Sequence, residues 1–305
     1  MAKLFIITDK NVHRLYKKQF LDAETIVIGT GEKIKDLGTV QYICKELLKR
    51  GADRTSFLLG VGGGVVCDIT GLTASIFMRG VDFGFVPTTL LAQVDASIGG
   101  KSGVNFDGFK NMIGTIRQPK FILHDTRFIK TLSDREYKSG VAEVIKHAII
   151  KDPSLFRYLE LHKREVMSRK KSAVERIVRE SKKIKTNIVK KDEFDKGLRR
   201  ILNFGHTYGH ALEAVAKGRV SHGEAVSIGM AFATRLSFLR GYIKRKDAQR
   251  IEKLIRLYGL PVVVDAKKVN INTLISAIEK DKKKDSRGIN FVFVKGIGSA
   301  FTGRL

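Results

Sequence analysis

The sequence predicts a two-part α/β protein, a parallel sheet wrapped by helices followed by a half that is helical almost throughout. Three features predict it. Short apolar runs bounded by polar residues or glycine recur from the N-terminus to residue 125. A helical spacing of apolar residues stands between the second run and the third, the pattern of a βαβ unit. Beyond Thr126 the spacing is helical for most of the remaining chain, so the domains are expected at 1–126 and 127–305. Ligands of open parallel sheets bind outside the carboxyl ends of the strands, which makes the cleft between the halves the expected site.

Residues 4–8, 25–29, 57–61, 83–87 and 121–125 read as strands, each short and rich in Ile, Val, Leu or Phe. Val40, Ile43, Leu47 and Leu48 share one helical face, and Gly51 ends that helix. Gly62-Gly63-Gly64 follows the third strand and opens a helix that is expected to end at Phe77-Met78-Arg79-Gly80. In the second half, residues 139–147 read as a helix carrying Glu143, Lys146 and His147 at i, i+3 and i+4. A long basic helix is expected over 163–191. Asn203-Phe204-Gly205-His206 leads into a helix bearing His206 and His210. Ser221 and Glu224 have capping-box spacing, which puts His222 in the first turn of the next helix.

Lys and Arg number 57 against 31 Asp and Glu, a net charge of +26 in 305 residues. That balance admits a nucleic-acid partner. No zinc-finger spacing, RNP-like aromatic pattern or basic tail accompanies it, and the basic residues crowd 163–191, where a solvated helix face accounts for most of them. A positive field also draws small, multiply anionic molecules toward a cleft. No nucleic-acid partner is expected. Cys44 and Cys67 are too few for a disulfide framework or a Cys-based metal site. The apolar start is too short for a signal peptide or a membrane span, so a cytoplasmic protein without a membrane partner is expected.

Two groups of residues carry chemistry. Gly60-Val61-Gly62-Gly63-Gly64 joins a strand to a helix, so backbone N–H groups there can approach a pyrophosphate without interference from Cβ atoms. It lacks the last glycine of the dinucleotide fingerprint, and a tight turn alone would also explain it. His206 and His210 are four apart on one helix face, a spacing that pairs them as metal ligands. Thr207 follows His206, so the general-base Glu of metalloproteases is missing, and packing alone remains an alternative for this pair.

These segments, together with Pro87-Thr88-Thr89, Gly99-Gly100-Lys101 and Ser139-Gly140-Val141-Ala142-Glu143-Val144-Ile145-Lys146, resemble the 3-dehydroquinate synthases, sugar-phosphate cyclases of the shikimate pathway. The resemblance is close over 62–68, 86–105, 139–146 and 198–237, and looser around Asp9, residues 31–35 and the end from Asp281. It implies a Rossmann-like NAD-binding domain followed by an all-helical domain that binds metal and substrate, in a homodimer. By that resemblance Asp9, Glu32 and Lys35 hold the adenosine end of NAD. Gly63, Gly64 and Asp68 line the pyrophosphate and nicotinamide side, with Thr88, Thr89, Lys101, Lys110 and Thr131 also around the cofactor. The metal, Zn2+ or Co2+, falls to Glu143, His206 and His222, which excludes His210 from the ligands.

The substrate implied is a keto-acid sugar phosphate. Arg79, Lys101, Asn111, Asn203, His210 and Lys283 (or its neighbour Lys282) resemble the set that grips its phosphate. Lys185 and Arg199 resemble the pair that holds its carboxylate, and Asp95 and Lys146 lie near the reacting carbons. The implied reaction is a transient oxidation by NAD, elimination of phosphate, return of the hydride, and an aldol closure of the ring. The matching arginine of the family reaches a neighbour's substrate, which gives Arg79 a cross-subunit role. Two departures stand in one loop: Phe106 where the family commonly has His, and Phe109 where it has Gly beside the lysine. Cyclases that make inosose or valiolone rings, and metal-dependent alcohol or glycerol dehydrogenases, are the nearest alternatives. Retained Lys185, Arg199 and Asn203 argue against the other cyclases, and the cationic substrate set with the Glu143 ligand favours a cyclase over the dehydrogenases.

Overall fold

Four of the five apolar runs become a parallel sheet. The computed structural model describes residues 3–20, 23–267, 269, 273–274 and 290–305, and the chain divides into the units Met1–Leu132 and Ser133–Leu305. In the first unit, strands β1 (Leu4–Asp9), β2 (Glu24–Ile28), β3 (Phe57–Gly62) and β4 (Asp82–Pro87) lie in the order β2-β1-β3-β4, every pair parallel. Helices α1 (Lys10–Tyr16), α2 (Leu37–Lys49) and α3 (Gly64–Ile76) link them. Phe5, Ile7, Ile26 and Leu58 pack on Ile43, Leu47, Ile69 and Leu72 of the helices. Ile6, Val61 and Val86 fill the opposite face with Val12, Phe20 and Phe128. Both faces are covered, which is why these strands read as nearly unbroken apolar runs.

The fifth run is not a full strand. Residues 121–125 touch β4 through one parallel bridge, Phe85 with Ile122, made by Phe85 N–H to the Phe121 carbonyl at 3.1 Å and Leu123 N–H to the Phe85 carbonyl at 2.8 Å. Phe121 and Leu123 are exposed, so the segment lacks the buried flank that the other runs have. An antiparallel hairpin, β5 (Lys101–Phe106) with β6 (Phe109–Ile116), stands where no element was expected. Its turn is Asp107-Gly108, with φ of 49° and 78°, the positive pair that a two-residue hairpin turn requires.

Among its described residues the second unit is helical, with one addition. Its helices are α4 (Asp134–Lys151), α5 (Pro153–Leu161), α6 (Lys163–Met167), α7 (Lys171–Lys191), α8 (His206–Ala216), α9 (His222–Leu239) and α10 (Arg245–Leu257). The addition is the hairpin of β7 (Asn290–Gly296) and β8 (Ser299–Arg304), whose run Phe291 to Val294 is buried throughout. The basic helix expected over 163–191 is broken between α6 and α7. Arg169 sits there at φ 57°, its guanidinium bonded to Asp134 at 2.7 Å and 4.8 Å from the centre of the Tyr137 ring, so side-chain anchoring holds a backbone turn that a helix cannot contain. No helix among the described residues is long and apolar enough to cross a membrane.

α4 is enclosed on all sides from Ser139 to Ile150. Polar residues on such a helix persist only with partners, because an unpaired buried charge would cost several kcal/mol or neutralise. α8 and α9 cross at glycines. A Cβ on Gly229 would meet the Gly205 carbonyl oxygen at 1.9 Å, and one on Gly223 would meet Ser139 Cα at 2.4 Å. The nearest atom in each case is backbone: the first contact packs α9 against the turn that precedes α8, and the second packs the first turn of α9 against α4.

Candidate active site

Three local features deliver the side chains of the second unit. Gly205, left-handed at φ 79°, turns the chain so that His206 is the first residue of α8. The Ser221–Glu224 capping box does the same for His222 on α9: Glu224 N–H donates to Ser221 Oγ at 3.3 Å and Ser221 N–H to Glu224 Oε2 at 2.7 Å. Glu143 comes from the enclosed middle of α4 and is fully buried. Its Oε1 lies 3.3 Å from His222 Nε2 and 3.5 Å from His206 Nε2.

Those separations test the fit of a metal. A tetrahedral ion bonded at about 2.05 Å holds its ligands about 3.3 Å apart. The two observed distances match edges of such a tetrahedron, and Glu143, His206 and His222 each offer one ligand atom, all within 4.8 Å of one another. Two imidazoles and one carboxylate leave a position open for a substrate oxygen, as catalytic zinc requires. His210 stands edge-on to the His206 ring at 5.3 Å between centroids, exposed and outside this group. The spacing of four thus puts His210 on the same helix face as His206 but outside that three-residue group.

The electrostatics prepare the two imidazoles differently. His206 Nδ1 sits 3.2 Å from the Phe204 carbonyl, which fixes the proton on Nδ1 and turns the Nε2 lone pair inward. Burial, with the Lys146 charge beside it, pushes His206 down to about 3, so it is neutral and ready to bind a cation. Burial also opposes charge on His222, but the carboxylates of Glu143 and Glu213 together outweigh it and push His222 up to about 10. An arriving metal must displace that proton. Lys146, itself buried, pairs with the second oxygen of Glu143.

In the first unit the glycine turn is a cradle. Gly63 precedes α3 without a side-chain cap, so the first N–H groups of that helix face the carboxyl end of β3. A Cβ on Gly63 would reach Thr89 Cγ2 at 3.0 Å, and one on Gly64 would reach Ala96 Cβ at 3.1 Å. Thr88 N–H donates to the Gly62 carbonyl at 2.9 Å, and Thr89 Oγ1 accepts from Ala92 N–H at 3.0 Å, so both threonines border the turn. A second network joins residues that the resemblance spreads along the cofactor and substrate. Buried Lys35 lies 2.5 Å from Asp68 Oδ2 and donates to Asn111 Oδ1 at 2.5 Å. Asn105 donates to Glu32 Oε1 at 2.8 Å and accepts from Asn111 N–H at 3.0 Å.

The remaining residues stand in local settings. Asp9 caps α1, accepting from Asn11 and Val12 N–H at 2.8 and 3.0 Å. Thr131 bonds Tyr16 at 2.7 Å. Lys101 and Lys110 are exposed on the β5–β6 hairpin, and Asp95 lies half-buried in the wide π-helical turn Ala92–Ala96. Arg79 does not end α3, which stops at Ile76; it is exposed in its own turn at φ 70°, between Met78 at 48° and Gly80 at 120°. Lys185 on α7 and Arg199 are buried cations, while Asn203 is exposed. The turn of Arg199 is built on Asp192, whose carboxylate accepts N–H bonds from Lys196, Gly197 and Arg199 at 2.9, 2.7 and 2.9 Å. Lys282 and Lys283 lie outside the described residues. Sequence reasoning missed Asn105, Asp192 and Glu213. Only Glu213 had a legible signal, at i+7 from His206 on the same helix face.

Comparison with known proteins bears on both units. Residues 25–139 match the family model described as 3-dehydroquinate synthase N-terminal, and residues 140–284 the one described as 3-dehydroquinate synthase C-terminal. A 3-dehydroquinate synthase of Thermoanaerobacter pseudethanolicus is 44% identical over 308 residues, covering 98% of this chain and 86% of that protein. One from Alkaliphilus metalliredigens is 40% identical over 304 residues, covering 97% and 85%. Among solved structures, the 2-epi-5-epi-valiolone synthase ValA of Streptomyces hygroscopicus, with NAD+ and Zn2+ bound, is similar at a TM-score of 0.91 and 30% identity, over 100% of this chain and 87% of that one. A 2-deoxy-scyllo-inosose synthase complexed with carbaglucose-6-phosphate, NAD+ and Co2+ shares the fold at a TM-score of 0.87 and 23% identity, over 100% and 88%.

Proposed function

Because the chain belongs to the 3-dehydroquinate synthase family, we propose that it converts 3-deoxy-D-arabino-heptulosonate 7-phosphate to 3-dehydroquinate and phosphate, as a phosphate-eliminating lyase working in the cytoplasm as a homodimer. When bound, NAD takes up and returns a hydride, and zinc or cobalt polarises the neighbouring substrate oxygens. The chain supplies the rest. The uncapped start of α3 and its glycines receive the pyrophosphate of NAD, with Thr88, Thr89, Lys110 and Thr131 beside it and Asp9 and Glu32 toward the adenosine. Lys35 acts by holding Asp68 and Asn111 in place.

Glu143, His206 and His222 hold the metal, and Lys146 keeps the Glu143 carboxylate aligned through its second oxygen. Lys185 and Arg199 receive the substrate carboxylate. Arg79, Lys101, Asn111, Asn203, His210 and Lys283 receive its phosphate, with Arg79 serving the partner subunit. Asp95 orients the substrate near the reacting carbons. Catalysis in this scheme is orientation and charge stabilisation, with few proton carriers.

The observation that carries the reading is the tetrahedral spacing of Glu143, His206 and His222. The test is release of inorganic phosphate from the heptulosonate phosphate by protein stripped of NAD and metal. Release is expected only when both are restored. Equal release without NAD, or in the presence of a chelator, would overturn the proposal.

A further inference from the structure

We propose that Glu213 is a positioning residue for the metal centre: its carboxylate holds His222 from behind and supplies negative charge that the ligand set lacks. The role rests on the metal reading above and deepens it. His222 presents its two ring nitrogens to different carboxylates, Nε2 to Glu143 at 3.3 Å and Nδ1 to Glu213 at 3.5 Å. An ion bound at Nε2 therefore leaves Glu213 on the far edge of the ring, too remote to be a ligand itself. Its oxygen instead receives the Nδ1 proton, which fixes the tautomer and raises the donor strength of Nε2.

The fold gives Glu213 this place. His206, His210 and Glu213 stand at i, i+4 and i+7 on α8, one stripe of one helix. That stripe faces α9 across the glycine crossing, and it brings Glu213, 9% exposed at the side chain, beside the first residue of α9.

The charge count gives a reason for it. The ligand set contains a single carboxylate, and that carboxylate also pairs with the buried ammonium of Lys146. A divalent cation bound there would share the Glu143 carboxylate with that ammonium. His206 is backed by a neutral carbonyl, that of Phe204 at 3.2 Å. Glu213 adds a negative charge to the centre, delivered through the imidazole of His222. Glu143 is fully buried and Glu213 nearly so, and between buried groups such charge is less screened than in water.

The test measures zinc affinity by chelator competition on purified, metal-stripped protein, alongside the thermal unfolding midpoint of the metal-free form. Glu213→Gln keeps the shape and an acceptor for Nδ1 but loses the charge, and affinity should fall about tenfold. Glu213→Ala loses both, and affinity should fall by up to about a hundredfold, the range known for partners behind metal ligands. A packing role would move the unfolding midpoint of the metal-free protein and leave the zinc affinity of Glu213→Gln at the parental value. Zinc affinity within twofold of the parent in both variants overturns the proposal. His206→Ala separates the two levels: if that variant binds zinc as the parent does, the metal site itself is refuted, and this role with it.

Discussion

Replacing Gly229 by alanine should break the metal centre without touching a ligand. The new Cβ would lie 1.9 Å from the Gly205 carbonyl oxygen, 2.8 Å from its carbon and 3.1 Å from its Cα. Because Cβ atoms do not approach other heavy atoms closer than 3.0 Å, α9 must withdraw from that residue by about 1.1 Å. Gly205 is the cap that precedes His206, and Gly229 lies two turns from His222, so the displacement is transmitted directly to two ligands. Metal bonds tolerate about 0.2 Å. Zinc affinity should fall more than about a hundredfold. Overpacking of two backbones belongs at the upper end of its usual cost, about 3 kcal/mol, or about 6–12 °C in the unfolding midpoint of a unit this size. Gly241→Ala is the control: φ there is 73° and the space is open, so it costs about 1–2 kcal/mol of backbone strain and leaves zinc affinity alone. The assay is chelator competition beside differential scanning calorimetry. If Gly229→Ala binds zinc like the parent and melts no lower than Gly241→Ala, the crossing does not set the ligand geometry.

Three further outcomes are expected. In the metal-free protein His222 is held above its ordinary value, to about 10, so its contribution to stability is complete below about pH 6.5 and is lost as pH rises toward 10. Zinc must displace that proton, so its affinity should rise about tenfold per pH unit between 7 and 9; a flat titration would contradict a protonated His222. Arg199→Ala should lower kcat/KM for the carboxylate-bearing substrate by about two to four powers of ten, the roughly 3–5 kcal/mol of a lost buried ionic partner. A carboxylate-free heptulose phosphate should be nearly indifferent to that change, and equal losses on both substrates would make Arg199 structural. Arg79→Ala and Lys101→Ala should each be almost inactive alone, yet return about a quarter of parental activity when co-refolded, because half the dimers are mixed and each mixed dimer owns one intact site. No recovery despite proven exchange would confine Arg79 to its own chain.

What the sequence made legible follows from which physics acts locally. The sheet was readable because strands covered on both faces must be apolar along their length, as in Phe5, Ile6 and Ile7. The glycine turn and the capping box at Ser221 were readable because backbone geometry dictates residue type there. The segment 121–125 misled because apolarity alone does not pair a strand, and exposure of Phe121 and Leu123 is not written in the run itself. The β5–β6 hairpin was missed although Asp107-Gly108 is a strong turn signal, since the flanking residues do not alternate cleanly. His206 and His210 suggest a ligand pair by spacing, but choosing Glu143 and His222 required contacts across 63 and 79 residues that only the fold or a resemblance supplies. Lys35 illustrates the same limit. One buried ammonium joins Asp68 and Asn111, 33 and 76 residues away, and no local pattern announces such a network.

The most direct test of the centre is an anomalous difference map at the zinc edge from crystals of the zinc-loaded protein. The account predicts one strong peak about 2.0–2.1 Å from His206 Nε2 and His222 Nε2 and a similar distance from a Glu143 oxygen, with His210 unbound. A peak shared by His206 and His210, or zinc found only on surface residues, would contradict it.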